Sequence, residues 1–339
     1  MSRLLLIILI VAVGVGGWYL YANYTIEVHR GAQGNLEYVK VVPRGARAPA
    51  GGEDFADQPP VAAGRTFIRI ATFDVEGLDE NKLANHRVSD VLVRVLPHFD
   101  VIALQGIRAH GRGLLVRLVE QLNATGKCYD FASSPAADRE GMEQYNAILF
   151  DRSSVDVDRS TVQFIEDPGG GFRHKPLTAL FRVRGPPEAE AFTFALIDVQ
   201  TDPNRAAAEL DLLAGVFRAV RDTVRTGGHT EDDVILLGDL EADHEHLGQL
   251  GRVPNLTAAV TNTPTTTRGT RLADNILFDR RATVEFTGRS GVFDLMRECD
   301  LSMQDALEVS EHMPVWAEFS VYENGQPGHV AMKSVMKSR

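Results

Sequence analysis

The chain has 339 residues, of which 44% are hydrophobic, and a formal net charge of −11. This length and apolar content can bury the core of one large α/β domain or of two small ones. The acid is concentrated in residues 66–323, which hold 26 basic and 41 acidic residues. A surface of that sign repels a polyphosphate backbone, so tight nonspecific binding of nucleic acid is disfavoured, although a local binding site is not.

The first element is an uncharged apolar run over residues 4–22, which ends in Trp18 and two tyrosines. About 20 such residues span a membrane, and bulky rings suit the lipid-water interface. We therefore predict a single-pass N-terminal membrane anchor, a transmembrane helix, in residues 1–23. A cleaved signal peptide and a buried core helix are the alternatives. Arg3 precedes the run and few positive charges follow it closely, which predicts that the globular domain is exported, to the periplasm or the cell exterior.

Residues 24–65 are predicted to form a linker or stalk. Short alternating runs in residues 24–42 indicate a small hairpin or a segment packed on the main domain, and residues 43–65 are dominated by Pro, Gly, Ala and acids. Residues 324–339 carry three basic residues and no acidic one, which is typical of a flexible basic tail. The globular domain is therefore placed in residues 66–323.

Strands and helices alternate within this domain. Helical spacing is present at 86–97, 112–123 and most clearly at 203–225, where Asp202 can cap the helix. Strands are predicted at 67–75, 100–106, 145–151, 178–184, 192–200, 232–241, 274–279 and 315–321. The short loop between 178–184 and 192–200 permits only antiparallel pairing. We predict a mixed-sheet α/β domain with helices on the outside.

Acidic residues stand at the ends of these strands, where rigid elements best hold functional groups. They are Asp74, Glu143, Asp239, Glu241, Asp274 and Glu311. Oxygen ligands fit a hard divalent cation, with magnesium as the default, and the chain has no Cys or paired-His spacing typical of structural zinc. Any one of these acids is more often a turn former or helix cap, so the metal prediction rests on the set.

Two local pairs strengthen this prediction. Asp239 and Glu241 stand at positions i and i+2 of an extended segment and can face the same side. Glu311 and His312 are neighbours just before the last strand, and histidine is the usual general base near neutral pH. The two cysteines, Cys128 and Cys299, can pair in an exported protein, but the sequence leaves their pairing open.

Six motifs in order resemble the endonuclease/exonuclease/phosphatase superfamily, of which deoxyribonuclease I is a member. The resemblance spans about residues 66–323. It implies a four-layer α/β/β/α sandwich with two mixed β-sheets, and hydrolysis of a phosphoester substrate with magnesium or manganese. The motifs are IATFD (70–74), DVIALQGIR (100–108), EQYNAILF (143–150), GDLEAD (238–243), LADNIL (272–277) and SEHMPV (310–315).

The resemblance also implies roles for individual residues. Asp239 is assigned to transition-state stabilisation or proton transfer, Asp274 to orienting a histidine, and His312 to general acid/base catalysis. The implied metal ligands are Asp74, Glu311 and Glu143. The implied substrate contacts are Glu241, Gln200, His174 and Asn275.

Several positions depart from the family pattern. Asp74 and Glu241 stand where the family has Asn, Glu311 where it has Asp, and His174 where it has Arg. Gln200 replaces a second histidine, and Gly106 replaces the metal-binding glutamate itself. The first hypothesis is a membrane-anchored protein of this fold whose hydrolase activity is lost or strongly weakened, with no metal required. The alternatives are an active divergent magnesium-dependent phosphodiesterase or nuclease, and a non-catalytic binding or scaffold module. Gly106→Glu is expected to strengthen divalent-ion binding if the cleft is intact.

Overall fold

The structure is a computed structural model that describes residues 24–30, 36–43, 59–61, 64–133, 143–165, 167, 169–226 and 232–325. The chain divides into two units, residues 1–58 and 59–339. In the first unit β1 (Tyr24–Arg30) and β2 (Leu36–Pro43) pair antiparallel, which confirms the predicted hairpin. Within the described ranges no helix has the length and apolarity to cross a membrane. The predicted anchor in residues 1–23 lies outside those ranges.

One six-stranded sheet of the second unit carries three of the motif strands. Its members are β3 (Phe67–Leu78), β4 (Val101–Ala109), β5 (Tyr129–Ser133), β6 (Glu143–Asp151), β13 (Phe286–Val292) and β14 (Val315–Ser320). Their spatial order is β13-β14-β3-β4-β6-β5. The β3–β4 pair is parallel and the other pairs are antiparallel, so the sheet is mixed.

The second sheet also has six strands. They are β7 (Val155–Phe164), β8 (Leu177–Val183), β9 (Thr193–Gln200), β10 (Val234–Asp239), β11 (Leu256–Ala258) and β12 (Asp274–Asp279). Their order is β11-β12-β10-β9-β8-β7, and only β9 and β10 run parallel. The predicted antiparallel pairing of β8 with β9 is confirmed.

Six helices cover these sheets in the described part of the chain. They are α1 (Glu80–Ala84), α2 (His86–Val95), α3 (Gly113–Asn123), α4 (Ala206–Thr226), α5 (Leu295–Cys299) and α6 (Met303–Val309). The prediction placed the start of α4 at 203. It begins at Ala206 because the Asp202 side chain accepts the Asn204 amide at 2.8 Å and its carbonyl accepts the Arg205 amide at 2.8 Å, which makes a turn.

Three hydrophobic clusters separate the layers. One packs the first sheet against α1, α2, α3, α5 and α6, another packs the second sheet against α4, and the third lies between the sheets. The middle cluster is rich in aromatic rings, among them Phe150, Phe181, Phe194, Phe278 and Phe319. The predicted α/β sandwich of two mixed sheets covered by helices is confirmed. Cys128 and Cys299 are free thiols.

Candidate functional site

The ends of three motif segments meet at one edge of the sandwich. Asp74 lies near the C-terminal end of β3, Asp239 ends β10, and His312 lies just before β14. One potential ligand atom of each residue lies within 4.8 Å of the others, and all three residues are buried. The sequence separates these residues by up to 238 positions, and the C-terminal ends of β3 and β10, together with the segment that leads into the antiparallel strand β14, bring them together.

His312 is oriented by Asp274, the first residue of β12. Its Nδ1 lies 2.9 Å from Asp274 Oδ2 and 3.1 Å from Oδ1. The Thr265 hydroxyl donates to Asp274 Oδ2 at 2.8 Å, so the carboxylate is itself held in place. The His312 amide donates to Ser310 Oγ at 2.9 Å, and that hydroxyl donates to the Asp74 carbonyl at 2.6 Å. The imidazole is therefore fixed from both sides with its Nδ1 committed to Asp274.

Burial and charge have opposite effects on His312. Burial alone disfavours its protonated form, but the Asp274 carboxylate and its hydrogen bond, together with Asp239 and Asp74, raise the pKa of His312 to about 10. The imidazole therefore holds a proton at neutral pH in the metal-free protein.

Burial is the main influence on the two carboxylates that face His312. Burial raises the pKa of Asp239 well above its ordinary value, and Asp274 raises it further, whereas His312 lowers it. Burial also raises the pKa of Asp74, again opposed by His312. Three buried acids, Asp74, Asp239 and Asp274, thus share one imidazolium, which leaves a site with affinity for further positive charge.

Gly106 faces the Asp74 carboxylate across the β3–β4 pair. Gly106 has φ of +73°, and a Cβ placed there would lie 2.5 Å from Asp74 Oδ1 and 3.0 Å from the Glu76 amide. Asp74 Oδ1 accepts the Glu76 amide at 2.6 Å. The two residues lie at a β-bulge of β3, where Glu76 has φ of +44°. Lys82 Nζ donates to the Val75 and Glu76 carbonyls there. The carboxylate of Asp74 therefore fills the space in which a side chain at 106 would begin.

Comparison with known proteins agrees with this geometry. A sequence model described as the endonuclease/exonuclease/phosphatase family matches residues 71–312. The chain belongs to the endonuclease/exonuclease/phosphatase family. It is 26% identical over 269 residues to deoxyribonuclease gamma of Rattus norvegicus, covering 74% of this chain and 84% of that protein. It is 26% identical over 273 residues to deoxyribonuclease-1-like 2 of Mus musculus, covering 76% and 94%.

Solved structures give the same fold. A humanized D. rerio TDP2 carrying 14 mutations aligns with a TM-score of 0.51 and 16% identity, covering 75% of this chain and 99% of that one. A functionally unknown conserved protein from Enterococcus faecalis V583 aligns with a TM-score of 0.51 and 17% identity, covering 76% and 100%. At this identity the likeness concerns the fold alone.

Gln200, at the position of the family's second histidine, ends β9 beside the cluster. Its Nε2 donates to Asp74 Oδ2 at 2.7 Å, and its Oε1 accepts Gln144 Nε2 at 3.1 Å. The amide thus steadies Asp74, and the structure brings Gln200 to the site as predicted from the resemblance.

Glu241 also lies at the site, but its charge is already paired. Its Oε2 is 2.5 Å from Arg271 Nη1, and its side chain is only 10% exposed. Arg271 is 55% exposed and lines, with Glu241, a cleft of about 810 Å³ between the start of α4 and the loops after β10 and before β12. The carboxylate of Glu241, which was predicted to contact the substrate, is therefore neutralised by an arginine that reaches the cleft.

Glu311 and Asn275, which were also predicted for the site, make their contacts outside this cluster. The Glu311 side chain is 57% exposed and lies 3.9 Å from Arg268, outside the group formed by Asp74, Asp239 and His312. Asn275 is buried, and its amide bonds the backbone amide and carbonyl of Val260 at 3.1 and 2.7 Å, a structural role. Burial lowers the pKa of His174, as does Arg173, while Asp202 opposes them. Glu143 begins β6, but its side chain is not among those that the structure describes, so its role as a metal ligand stays a prediction.

Sequence reasoning missed three polar contributors. Thr265 supports Asp274, Ser310 joins the His312 and Asp74 segments, and Arg271 pairs with Glu241. Ser310 belongs to a quoted motif, and Arg271 precedes one by a single residue, so proximity to the motifs was the available signal. Thr265 lies in a run of three threonines that carries no such signal.

Proposed function

We propose that this chain is a divalent-metal-dependent phosphodiester hydrolase whose turnover is slower than is usual for its family. The observation that carries the proposal is the position of Asp74, whose carboxylate occupies the space left by Gly106 beside Asp239 and His312. The acid missing at 106 is thus supplied from the neighbouring strand, and the cleft retains two buried carboxylates.

The donor set fits magnesium or manganese. Asp74 and Asp239 offer hard oxygen atoms in a buried cluster that is short of positive charge. These two residues would hold the ion. When bound, such an ion stabilises negative charge that develops on a phosphoryl oxygen and activates water.

The protein's own groups provide the remaining chemistry. His312, held by Asp274 through Nδ1, can give a proton to the leaving oxygen through Nε2. Arg271 presents a guanidinium to the cleft, where it can bind a phosphate oxygen while it keeps its contact with Glu241. The amide of Gln200 cannot carry a proton, which supports a reduced rate.

A second candidate is a phosphoester-binding protein without turnover. Gln200 favours it, because general acid/base help contributes about 10²–10⁴-fold and one of the family's two histidines is absent. In this case the cleft retains a metal and a phosphate but releases no product.

Hydrolysis of bis-p-nitrophenyl phosphate and of plasmid DNA by the full-length protein, with magnesium or manganese, separates the candidates. DNA is included because the relatives named above are deoxyribonucleases. Turnover that disappears in His312→Ala and Asp239→Asn, and persists in the exposed control Glu188→Gln, supports the hydrolase. Metal binding without turnover in the wild-type protein supports the second candidate.

We also propose that the domain is exported and tethered to the membrane through residues 4–22. The uncharged run and its terminal aromatic rings support the tether, and Arg3 before the run supports the orientation. Cell fractionation should recover the full-length chain with the membranes. Protease added to cells in which only the outer envelope is permeabilised should cleave the domain. Recovery in the soluble fraction as a shortened chain would instead indicate a cleaved signal peptide.

A further inference from the structure

A second group of acids lies at the end of the sandwich opposite the family site. Asp233 precedes β10, Glu285 precedes β13, and Glu323 begins the turn after β14. One carboxylate oxygen from each lies within 4.8 Å of the others. Asp233 and Asp239 bracket the same strand, so about 20 Å separates the two groups at about 3.3 Å per residue. Three chain segments, drawn from both sheets, therefore converge on one point.

One carboxylate oxygen of Glu285 lacks a hydrogen-bond partner among the described residues. The residue is only 2% exposed, and its Oε1 accepts the Asn324 amide at 2.6 Å. Its Oε2 is buried and has no hydrogen-bond partner among the described residues. A buried carboxylate oxygen without a partner is costly, so something is expected to face it.

The surroundings of this group are negative. Glu323 accepts the Thr193 amide through Oε2 at 3.3 Å, and within the described residues no ion pair joins Glu285 or Glu323 to a basic side chain. Burial, then Asp233, raises the pKa of Glu285 to about 8, and burial, then Glu285, raises the pKa of Glu323 to about 7. Glu285 and Glu323 thus lie close to each other without a basic partner among the described residues, and the unpartnered Glu285 Oε2 is available to a cation.

We propose that Asp233, Glu285 and Glu323 form a second divalent-cation site, selective for calcium, that joins the C-terminal turn to the starts of β10 and β13. The donors are oxygen atoms only, which calcium prefers. Calcium accepts irregular arrangements of six to eight oxygens, whereas magnesium requires near-octahedral geometry and dehydrates reluctantly, which disfavours it in a buried pocket. This site is independent of hydrolysis at the family site.

Calcium binding to the full-length protein, stripped with a chelator and measured by calorimetry, tests the site. Glu285→Gln keeps the shape of the side chain and should weaken one class of calcium sites by about tenfold or more. Asp239→Asn, at the other end of β10, should leave that class intact, and so should Glu188→Gln on the surface. Calcium should also raise the midpoint of thermal unfolding in the wild-type protein and in Asp239→Asn, but not in Glu285→Gln.

Two outcomes would overturn the site: no calcium binding at millimolar concentration in the wild-type protein, or unchanged binding in Glu285→Gln. If Glu285→Gln does not fold, Glu323→Gln offers the same comparison at a less buried position. Because Asp239→Asn removes only the family site, a failure there is distinguishable from a failure at this one.

Discussion

The two ends of β10 present the same chemistry in two different electrostatic settings. At the C-terminal end Asp239 lies with Asp74 against the imidazole of His312, and Arg271 neutralises nearby Glu241. At the N-terminal end Asp233 lies with Glu285 and Glu323, and within the described residues neither glutamate has a basic partner. The acids at the C-terminal end are thus partly compensated by basic side chains, whereas Glu285 and Glu323 are not paired with one among the described residues.

Both ends bind a proton at neutral pH in the metal-free protein, but on groups of opposite kind. His312 becomes a cation that attracts phosphate, whereas Glu285 becomes a neutral acid. Burial is thus balanced by an imidazolium at one end and by a proton on the acid itself at the other, and the difference lies in whether a base is present.

The contrast between the two ends of β10 requires that Asp274 orients His312 and keeps it protonated. Removing the charge of Asp274 should therefore have the largest effect. Asp274→Asn keeps the shape but removes the charge, and we expect kcat/KM to fall about 10²–10⁴-fold. The pKa of His312 should fall from about 10 toward its ordinary value, which NMR titration of the imidazole measures. Asp279→Asn at the other end of β12 is the control. An imidazole that titrates unchanged in Asp274→Asn would contradict the assignment.

A second histidine at the family site, at the C-terminal end of β10, should increase the rate of hydrolysis and so sharpen the contrast with the other end. Gln200→His restores an imidazole beside Asp74, and we expect kcat to rise about tenfold or more, because general acid/base groups contribute about 10²–10⁴-fold. Gln144→His places an imidazole one hydrogen bond further away and serves as the control. Equal rates in both variants would show that the proton carrier is not limiting.

A side chain introduced at Gly106 tests whether the Asp74 carboxylate occupies the space next to this position. In Gly106→Ala the Cβ would lie 2.5 Å from Asp74 Oδ1 at a positive φ, so we expect a loss of about 1–3 kcal/mol in unfolding free energy and weaker magnesium binding. Gly113→Ala, where a Cβ meets open space, is the matched control. Denaturant unfolding and calorimetry give both quantities, and equal stability of the two variants would contradict the contact.

The pH dependence of stability tests the N-terminal end of β10 and has the smallest expected effect. The pKa of Glu285 is about 8 in the folded protein and near 4.5 when unfolded, so the folded state binds the proton more tightly. Its contribution is complete below about pH 4.5 and is lost as pH rises through about 8, on the order of 1–2 kcal/mol in chelator. Urea unfolding at pH 5, 6.5 and 8 should show this loss in the wild-type protein. Glu285→Gln should reduce it, and an identical slope would argue against it.

The sequence predicted the central strands of both sheets because their apolar runs are continuous. It missed β5, β7, β11 and β13, which are short or only partly buried and whose residues form no continuous apolar run. The hairpin β1–β2 was predicted from alternation alone.

At the site, the motif order was enough to bring Asp74, Asp239, Asp274 and His312 together, although their roles stay predictions. The resemblance implied Glu311 as a metal ligand, but neighbours in an extended segment point to opposite sides, and the Glu311 side chain faces solvent. The stronger metal binding expected of Gly106→Glu stays a prediction, and it requires the Asp74 carboxylate to move. Contacts across strands, such as Arg271 with Glu241, depend on register and cannot be deduced from local patterns.

The contact between Gly106 and Asp74 also constrains how this chain and its ancestors can change. A glutamate at 106 requires the Asp74 carboxylate to move from its present position, because a Cβ at 106 would lie 2.5 Å from Asp74 Oδ1. The substitutions are therefore epistatic. A family member with glycine at this position is best classified by examining both positions together, because either one alone would misjudge its capacity to bind metal.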